Sequence, residues 1–174
     1  MDTSLATSVR RSQPSDTATL TELVNRAYAI ESTFIEGDRT NAGEIAALIE
    51  TGALWVLEHA GGICAAVLLQ APGQRAGVPP AHAYLGMLSV LPELQGQGLG
   101  RRLVRIVEDM AAAAGATAMF LRIINLREEL GRWYQRMGYL EVGTAPYKHR
   151  AVKRPCHFIE MAKPLTAGPR DAAG

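Results

Sequence analysis

Apolar positions along this chain follow two periods, which predict helices alternating with strands. Spacings of three and four residues predict helices that begin at Ser15 or Asp16, after Asn41, and over 99–114 and 127–137. Alternating or continuous apolar runs predict strands at 8–11, 53–58, 63–70, 83–91, 116–124 and 156–163, with another that starts at Tyr139. The segments 29–39 and 71–80 are predicted to be loops, the first with some irregular helix.

Glycines and capping residues mark the ends of several of these elements. Gly115 and Gly138 directly follow helical stripes, as C-cap glycines do. Asn41 and Glu44 are spaced as in a capping box, before the next helical stripe. The two glycines at 61–62 separate two strand patterns and predict a β-hairpin.

Length and composition favour a single globular domain. A chain of 174 residues can bury roughly 70% of its unfolded surface. Apolar residues make up 48% of the chain and charged residues 20%, and the net charge of +1 does not favour a nucleic-acid partner. We expect a core over 8–163 with flexible tails at 1–6 and 165–174.

The sequence offers no sign of a membrane, secretory or metal-binding protein. No apolar run approaches the roughly 18 residues that span a bilayer, and the N-terminal segment lacks the apolar core of a signal peptide, so we expect a cytoplasmic protein. Cys64 and Cys156 do not suggest a disulfide framework. The histidines show no metal-ligand spacing, so we expect no metal site.

A glycine-rich loop between a strand and a helix is the most informative feature of the chain. An apolar run ends at Pro92, three glycines follow within five positions, and an apolar helical stripe begins at Leu99. Backbone N–H groups at a helix start have no intrahelical partner and attract anions. Glycines let an anion approach such a loop closely. Arg101, Arg102 and Arg105 oppose the helix dipole there, which favours a bound anion that offsets them.

The motif in this loop distinguishes among known anion sites. A dinucleotide fingerprint requires a third glycine at the position of Arg101, and a P-loop requires a lysine after Gly100, so neither pattern fits. The loop instead resembles the acyl-CoA motif Q/R-x-x-G-x-G/A of the GCN5-related N-acetyltransferases, the GNAT family. The motif residues are Gln95, Gly98 and Gly100, and the usual approach to it is met by Leu88, Val90 and Pro92.

A second segment carries the same resemblance. The text WYQRMGY, which contains Tyr134 and ends at Tyr139, resembles a family sequence in which the tyrosine lies near the cofactor sulfur and acts as general acid. A phenol with a pKa of about 10 suits protonation of a leaving thiolate. Core packing of Tyr134 is the alternative interpretation. The chain departs from the family at Arg127, where an asparagine is usual, and Asn125 lies two positions too early to replace it.

The resemblance implies a GNAT-like α/β fold with six to seven mainly antiparallel strands. It further implies about four helices on both faces of the sheet and a splayed central strand pair. Acetyl-CoA would be the acyl donor, with its pantetheine arm paired to the fourth strand and its pyrophosphate held by the glycine loop. The cofactor-binding residues would be Leu88, Ser89, Val90, Gln95, Gly96, Gln97, Gly98, Leu99, Gly100 and Arg101.

The function that follows is transfer of an acetyl group to a primary amine of a small molecule or peptide, by direct attack in a ternary complex. The alternative is a non-catalytic CoA-binding regulatory module, which the presence of Tyr134 disfavours. Partners would be acetyl-CoA and an amine acceptor, with no nucleic acid and no membrane. A homodimer is left open.

The general base and the acceptor stay open at this stage. The amine must lose a proton before attack, because its unperturbed pKa is near 10.4 for a lysine-like group. Candidate bases, each expected to be a solvated surface group, are Glu31, Glu36, Asp38, His82 and Tyr84. The acidic candidates favour a cationic amine, whereas the basic run 148–154 favours an anionic acceptor or the cofactor's 3′-phosphate.

Overall fold

The computed structural model of the protein describes residues 7–166, and these form seven strands and four α-helices. The strands are β1 (Ser8–Arg11), β2 (Leu54–His59), β3 (Gly62–Gln70), β4 (His82–Val90), β5 (Ala118–Ile124), β6 (Leu140–Pro146) and β7 (His157–Pro164). The helices are α1 (Thr17–Ala27), α2 (Ala42–Glu50), α3 (Leu99–Ala113) and α4 (Glu128–Gln135). The strands form one mixed sheet in the order β1-β2-β3-β4-β5-β7-β6. The predicted α/β fold is therefore confirmed.

Most predicted boundaries agree with the structure to within two residues, and the differences lie at turns. The β2–β3 hairpin turns at Ala60 and Gly61, both with positive φ, and Gly62 already belongs to β3. The Asn41 side chain caps α2 by accepting from the Glu44 N–H, as predicted. The Glu44 carboxylate, however, accepts from the Thr40 hydroxyl. The predicted tail 1–6 lies outside the described residues, as does the predicted tail 165–174 from residue 167 onward. Leu165, at the start of that predicted tail, donates its N–H to the Thr117 carbonyl oxygen at 2.9 Å.

The chain divides into two compact units. The first takes in the described residues up to Thr33, together with Gly37–Leu69 and Met87–Arg105. Within it, β1, β2 and β3 pair antiparallel and α1 packs against α2. The amphipathic helices contribute buried residues to this unit: Leu20, Leu23, Val24, Ile45 and Ile49.

The second unit consists of Phe34–Glu36, Gln70–Gly86 and the residues from Ile106 onward. Strand β5 pairs antiparallel with β7 along its whole length, and β7 pairs with β6. Strand β5 also pairs parallel with β4 over the residues His82 to Tyr84. The buried residues of β5 are nearly continuous, as expected for a strand covered on both faces.

Strand β4 contains an irregular backbone position. Met87 has φ of +50°, although it lies inside a strand and is not glycine. The preceding Gly86 has no side chain, and a Cβ there would lie 2.7 Å from the ring of Tyr84. Non-glycine residues at positive φ are uncommon and cluster at functional sites. The irregularity directly precedes the strand residues that the sequence assigns to the acyl donor.

Among the described residues, no helix has both the length and the apolarity needed to cross a membrane. The same residues contain no group of three or more histidine, cysteine or acidic side chains that could hold a metal ion. Neither Cys64 nor Cys156 forms a disulfide within the described residues.

A buried ion pair holds the chain where β1 leads into α1. Asp16, predicted as a helix cap, ends a 3-10 turn and accepts from the Gln13 N–H at 2.7 Å. Its carboxylate also accepts from the Arg10 guanidinium at 2.8 and 3.2 Å. The Arg10 hydrogen bonds hold the pKa of Asp16 below its ordinary value.

We predict that Asp16→Asn lowers the free energy of unfolding by about 1–3 kcal/mol at neutral pH, because hydrogen bonds to charged groups contribute that much. Since the Asp16 pKa is lower in the folded than in the unfolded state, its stabilisation is complete above its ordinary value of 3.8 and declines as the pH falls through the lower folded pKa. Denaturant unfolding across this pH range should show the wild-type advantage shrink in acid. An advantage that does not change with pH would contradict this assignment.

Candidate active site

Strand β4 ends in a segment with well-fixed backbone. The Ser89 hydroxyl donates to the Met87 carbonyl oxygen at 3.1 Å, next to the irregular position. The Leu91 N–H donates to the Cys64 carbonyl oxygen of β3 at 2.9 Å, which anchors the strand end. The strand residues predicted to pair with the donor are the half-buried Leu88 and Val90 and the buried Ser89.

The turn after β4 is closed by Gln95. A 3-10 turn covers Pro92–Leu94, and the Gln95 N–H donates to the Pro92 carbonyl oxygen at 3.3 Å. The Gln95 side-chain amide donates back to the Val90 carbonyl oxygen at 3.1 Å. Gln95 therefore ties the glycine loop to the strand through both its backbone and its side chain.

The loop itself leaves backbone N–H groups without partners. Gly96 and Gly98 have φ of +79° and +81°, and a Cβ at either position would meet no atom within 4 Å. From Gly96 to Arg101, the N–H groups donate to no acceptor in the described part of the chain. The first loop-to-helix bond runs from the Arg102 N–H to the Gly98 carbonyl oxygen at 2.9 Å. Gln97 is exposed, and Leu99 and Gly100 are half-buried in the first turn of α3.

Three arginines stand beside these donors. Arg101, Arg102 and Arg105 are exposed and form no ion pair with any residue that the structure describes. Cations at a helix N-terminus are disfavoured by the helix dipole. Unpaired N–H groups, open space above two glycines and unpaired guanidinium groups fit an anion such as a pyrophosphate.

Tyr134 lies on α4, in the second unit. It is only 3% exposed, and its ring meets those of Trp133 and Tyr139 edge-to-face at 4.9 and 5.3 Å. Its carbonyl oxygen accepts from the Tyr139 N–H at 3.2 Å, so the end of α4 folds back on it. The ring is thus packed in the core, as the alternative interpretation required. Its role as proton donor stays a prediction.

A buried polar network supports the ring of Tyr139. Glu108 of α3 is 6% exposed, and its carboxylate accepts from the Tyr139 hydroxyl at 2.7 Å and from the Lys163 ammonium at 2.8 Å. Burial raises the pKa of Tyr139 far above its ordinary value, and Glu108 raises it further, so the phenol stays protonated and donates. The network joins α3, the residue that precedes β6, and β7 around the aromatic pair that contains Tyr134.

The predicted general bases occupy different environments. Glu36 and Asp38 are exposed, as expected, but Glu31 and Tyr84 are buried, which corrects their expected position on a solvated surface. Burial follows from their places in a 3-10 turn and a central strand. His82 is half-buried, and its Nδ1 has no hydrogen-bond partner among the described residues.

The acidic and basic segments, which the sequence treats as competing acceptor signals, meet in the second unit. Ile35 forms a β-bridge with Val152. The Glu36 N–H donates to the Ala151 carbonyl oxygen at 2.9 Å. Backbone contacts therefore join the two segments. The charge of one segment cannot be considered without the charge of the other when an acceptor is inferred.

Two residues left undecided by the sequence have structural partners. The Asn125 side-chain oxygen accepts from the His157 N–H at 2.8 Å, and the Asn125 N–H donates to the His157 carbonyl oxygen at 2.9 Å, extending the β5–β7 ladder. Arg127 pairs with Glu129 at the start of α4.

Sequence analysis missed the irregular position in β4 and the polar partners of the aromatic residues. A glycine inside a strand pattern, here Gly86, indicates a bulge or a close approach and was the available signal. The positive φ of Met87 and the pairing of Glu108 with Tyr139 and Lys163 depend on contacts between distant segments.

Comparisons with known proteins agree with this arrangement. The sequence matches the Acetyltransferase (GNAT) family over residues 18–139. A comparison with curated proteins gives no significant match. Among solved structures, the fold is similar to a putative acetyltransferase from Salmonella typhimurium, solved with its cofactor acetyl-CoA, at 20% identity and a TM-score of 0.73 over 97% of this chain and 99% of that one.

Two further structures share the fold. One is the ribosomal-protein-S18-alanine N-acetyltransferase from Escherichia coli, at 17% identity and a TM-score of 0.72, covering 97% of this chain and 100% of that one. The other is the ribosomal-protein-alanine N-acetyltransferase from Brucella melitensis, at 18% identity and a TM-score of 0.72, covering 91% and 99%.

The family match covers more than half of the chain and identifies the class of protein as an acetyltransferase. The chain belongs to the GNAT family of acetyltransferases. It is therefore an acyltransferase, and acetyl-CoA is its acyl donor.

We predict that Tyr139→Phe lowers the free energy of unfolding by about 1–3 kcal/mol, because the buried Glu108 carboxylate loses one of its donors. Denaturant unfolding of wild type, Tyr139→Phe, Glu108→Gln and the double variant forms a complete cycle. The double variant should cost less than the sum of the single ones. Strict additivity would mean that the two side chains do not depend on each other.

Proposed function

We propose that the protein transfers an acetyl group from acetyl-CoA to a primary amine of a small molecule or peptide, by direct attack in a ternary complex. The observation that carries the proposal is the row of unpaired backbone N–H groups from Gly96 to Arg101. A cytoplasmic location and assembly as a homodimer stay predictions.

The glycine loop is the proposed pyrophosphate site. Its N–H groups belong to a loop in which two positive-φ glycines leave open space beside the backbone. The loop lies at the positive end of the α3 dipole, which favours an anion. The unpaired guanidinium groups of Arg101, Arg102 and Arg105 add charge-assisted donors.

Strand β4 is the proposed partner of the pantetheine arm. Backbone groups of Leu88, Ser89 and Val90 would pair with the arm as a strand pairs with an added strand. The Val90 carbonyl oxygen accepts from the Gln95 side chain, which holds the end of the strand next to the loop. The Val90 N–H is the proposed donor to the thioester carbonyl oxygen, where negative charge develops.

Tyr134 is the proposed general acid. Bound acetyl-CoA supplies a thioester whose carbon–sulfur bond breaks as the amine nitrogen bonds to the carbonyl carbon. The Tyr134 hydroxyl gives its proton to the departing sulfur, since a phenol and a thiol have comparable pKa values. The proton that the amine loses passes to a base or a water chain on the acceptor side.

We predict that Gly98→Val weakens acetyl-CoA binding at least about tenfold, because a β-branched residue at positive φ costs about 1–3 kcal/mol or moves the loop. Its side chain also enters the space reserved for the pyrophosphate. Isothermal titration calorimetry with acetyl-CoA measures the change.

Gly61→Val is the matched control. Gly61 has φ of +80° and the same open surroundings, but lies in the β2–β3 hairpin, so the strain is equal and the donor site is untouched. Equal acetyl-CoA affinity in folded Gly98→Val and wild-type protein would refute the proposed pyrophosphate site.

We predict that Tyr134→Phe lowers the rate constant of the chemical step about 10²–10⁴-fold, the usual contribution of a general acid, with little change in acetyl-CoA affinity. Single-turnover measurements of CoA thiol release separate the two quantities. Tyr139→Phe removes a hydroxyl from the neighbouring ring and controls for a general loosening of the aromatic pair. A chemical step within twofold of wild type would leave Tyr134 a packing residue only.

A further inference from the structure

A cation and a phenol are stacked in the second unit, and neither residue is assigned above to the acyl donor. The guanidinium carbon of Arg75, in the loop between β3 and β4, lies 4.0 Å from the ring centroid of Tyr84 on β4. Both residues have a hydrogen-bonding capacity that the protein does not use.

Tyr84 is a buried residue with an unused hydroxyl. It is 7% exposed, yet its hydroxyl has no hydrogen-bond partner among the residues that the structure describes. The residue as a whole is buried, but its hydroxyl oxygen is not fully buried. The hydroxyl is therefore open to a ligand atom that accepts a hydrogen bond from it.

Arg75 is a half-buried cation without a carboxylate partner. Its Nη1 donates to the Gln70 side-chain oxygen at 3.1 Å, and it forms no ion pair with the described residues. Arg122, in the same unit, shows the opposite case, because it pairs with Glu160 at 2.8 Å. The charge of Arg122 is therefore neutralised within the protein and the charge of Arg75 is not.

The surrounding backbone holds this pair in place. Arg122 also donates to the Gly77 carbonyl oxygen at 3.2 Å, which ties the loop that carries Arg75 to β5. The Tyr84 ring lies over Gly86, where any Cβ would come within 2.7 Å of the ring. Because Gly86 has no side chain, the Tyr84 ring can occupy this space. The stack of Arg75 on Tyr84 therefore has a fixed position.

The chemistry of the pair selects the ligand. A guanidinium offers a planar fork of donors that matches a carboxylate, and the phenol adds a neutral donor. The guanidinium can only donate and the phenol hydroxyl can also donate, so both groups can bind an oxyanion, and the unused charge is positive. An ammonium group at this place would meet repulsion, whereas an oxyanion would meet both charge and hydrogen bonds.

We infer that Arg75 and Tyr84 form a binding site for the carboxylate of the acceptor, so that the amine acetylated by this protein belongs to an amino-acid-like molecule. The inference rests on the proposed function and names its substrate class. Tyr84 lies on β4, the strand that also carries the residues proposed to pair with the acyl donor, which favours the acceptor over an unrelated anion.

The test compares acceptors that differ only in the carboxylate. The L-amino acids and their carboxamides are assayed in pairs by acetyl-CoA-dependent thiol release, with wild type, Arg75→Gln and Tyr84→Phe. In wild type, kcat/KM for the best amino acid should exceed that of its carboxamide about 10–100-fold, the range expected from hydrogen bonds to a charged group. Arg75→Gln should abolish this preference, with rates for the carboxamide little changed, and Tyr84→Phe should reduce the ratio of the two kcat/KM values.

Arg11→Gln is the matched control. Arg11 stacks over Trp55 at 5.1 Å in the first unit, and its loss should leave the carboxylate preference as in wild type. Equal use of acids and amides by the wild-type protein would overturn the inference. So would a loss of acetyl-CoA affinity in Arg75→Gln without a change of preference, because the pair would then serve a phosphate of the donor.

A second readout does not depend on turnover. The side-chain Nε–H resonance of Arg75, assigned by its disappearance in Arg75→Gln, should shift when the L-amino acids are titrated into the wild-type protein with CoA present, and not with the carboxamides. This result, without any acetyl transfer, would support the carboxylate site and count against the proposed function. No shift with any amino acid would overturn the site, even if other amines are acetylated.

Discussion

Backbone N–H groups at the start of a helix have no acceptor within the helix, and at α3 the residues that the structure describes supply none from Gly96 to Arg101. An anion from outside the chain is favoured further, because positive-φ glycines keep side chains away from these N–H groups and three arginines add positive charge beside them. By contrast, the neighbouring backbone is held by hydrogen bonds. Gln95 bonds back to Val90, and Leu91 bonds to β3, so the unpaired donors are held on a rigid support. A donor site that is rigid and unpaired loses little entropy when an anion binds.

Two sets of polar groups in the second unit differ in how they are paired. The Glu108 carboxylate has two donors, Tyr139 and Lys163, so burial of its charge is compensated inside the protein. The Tyr84 hydroxyl and the Arg75 guanidinium are not compensated in this way. The paired groups around Glu108 fix how elements pack around the Tyr134 ring. Tyr84 and Arg75 are instead able to bind a ligand.

One of the two non-glycine residues with positive φ in the described chain lies next to the residues proposed to bind the acyl donor. Met87 adopts a left-handed conformation inside β4, one residue after the glycine that accommodates the Tyr84 ring and one residue before the segment proposed to pair with pantetheine. Such a conformation persists only where surrounding contacts outweigh its cost. The Ser89 hydroxyl bond to the Met87 carbonyl oxygen is one of these contacts.

Local patterns determined most of the elements and the donor loop, because hydrophobic period, capping residues and glycine spacing act over a few neighbouring positions. Gln95, Gly98 and Gly100 were selected by resemblance to the family motif, and the helix that carries Tyr134 was predicted from its apolar spacing. Tertiary structure decided the burial of Glu31 and Tyr84, the partners of Glu108, and the use of Asn125 in a strand ladder. It also decided that Arg75 stacks on Tyr84 while Arg122 is neutralised by Glu160. These outcomes depend on which distant segments meet, and a side chain's partners across a sheet are not encoded in the residues beside it.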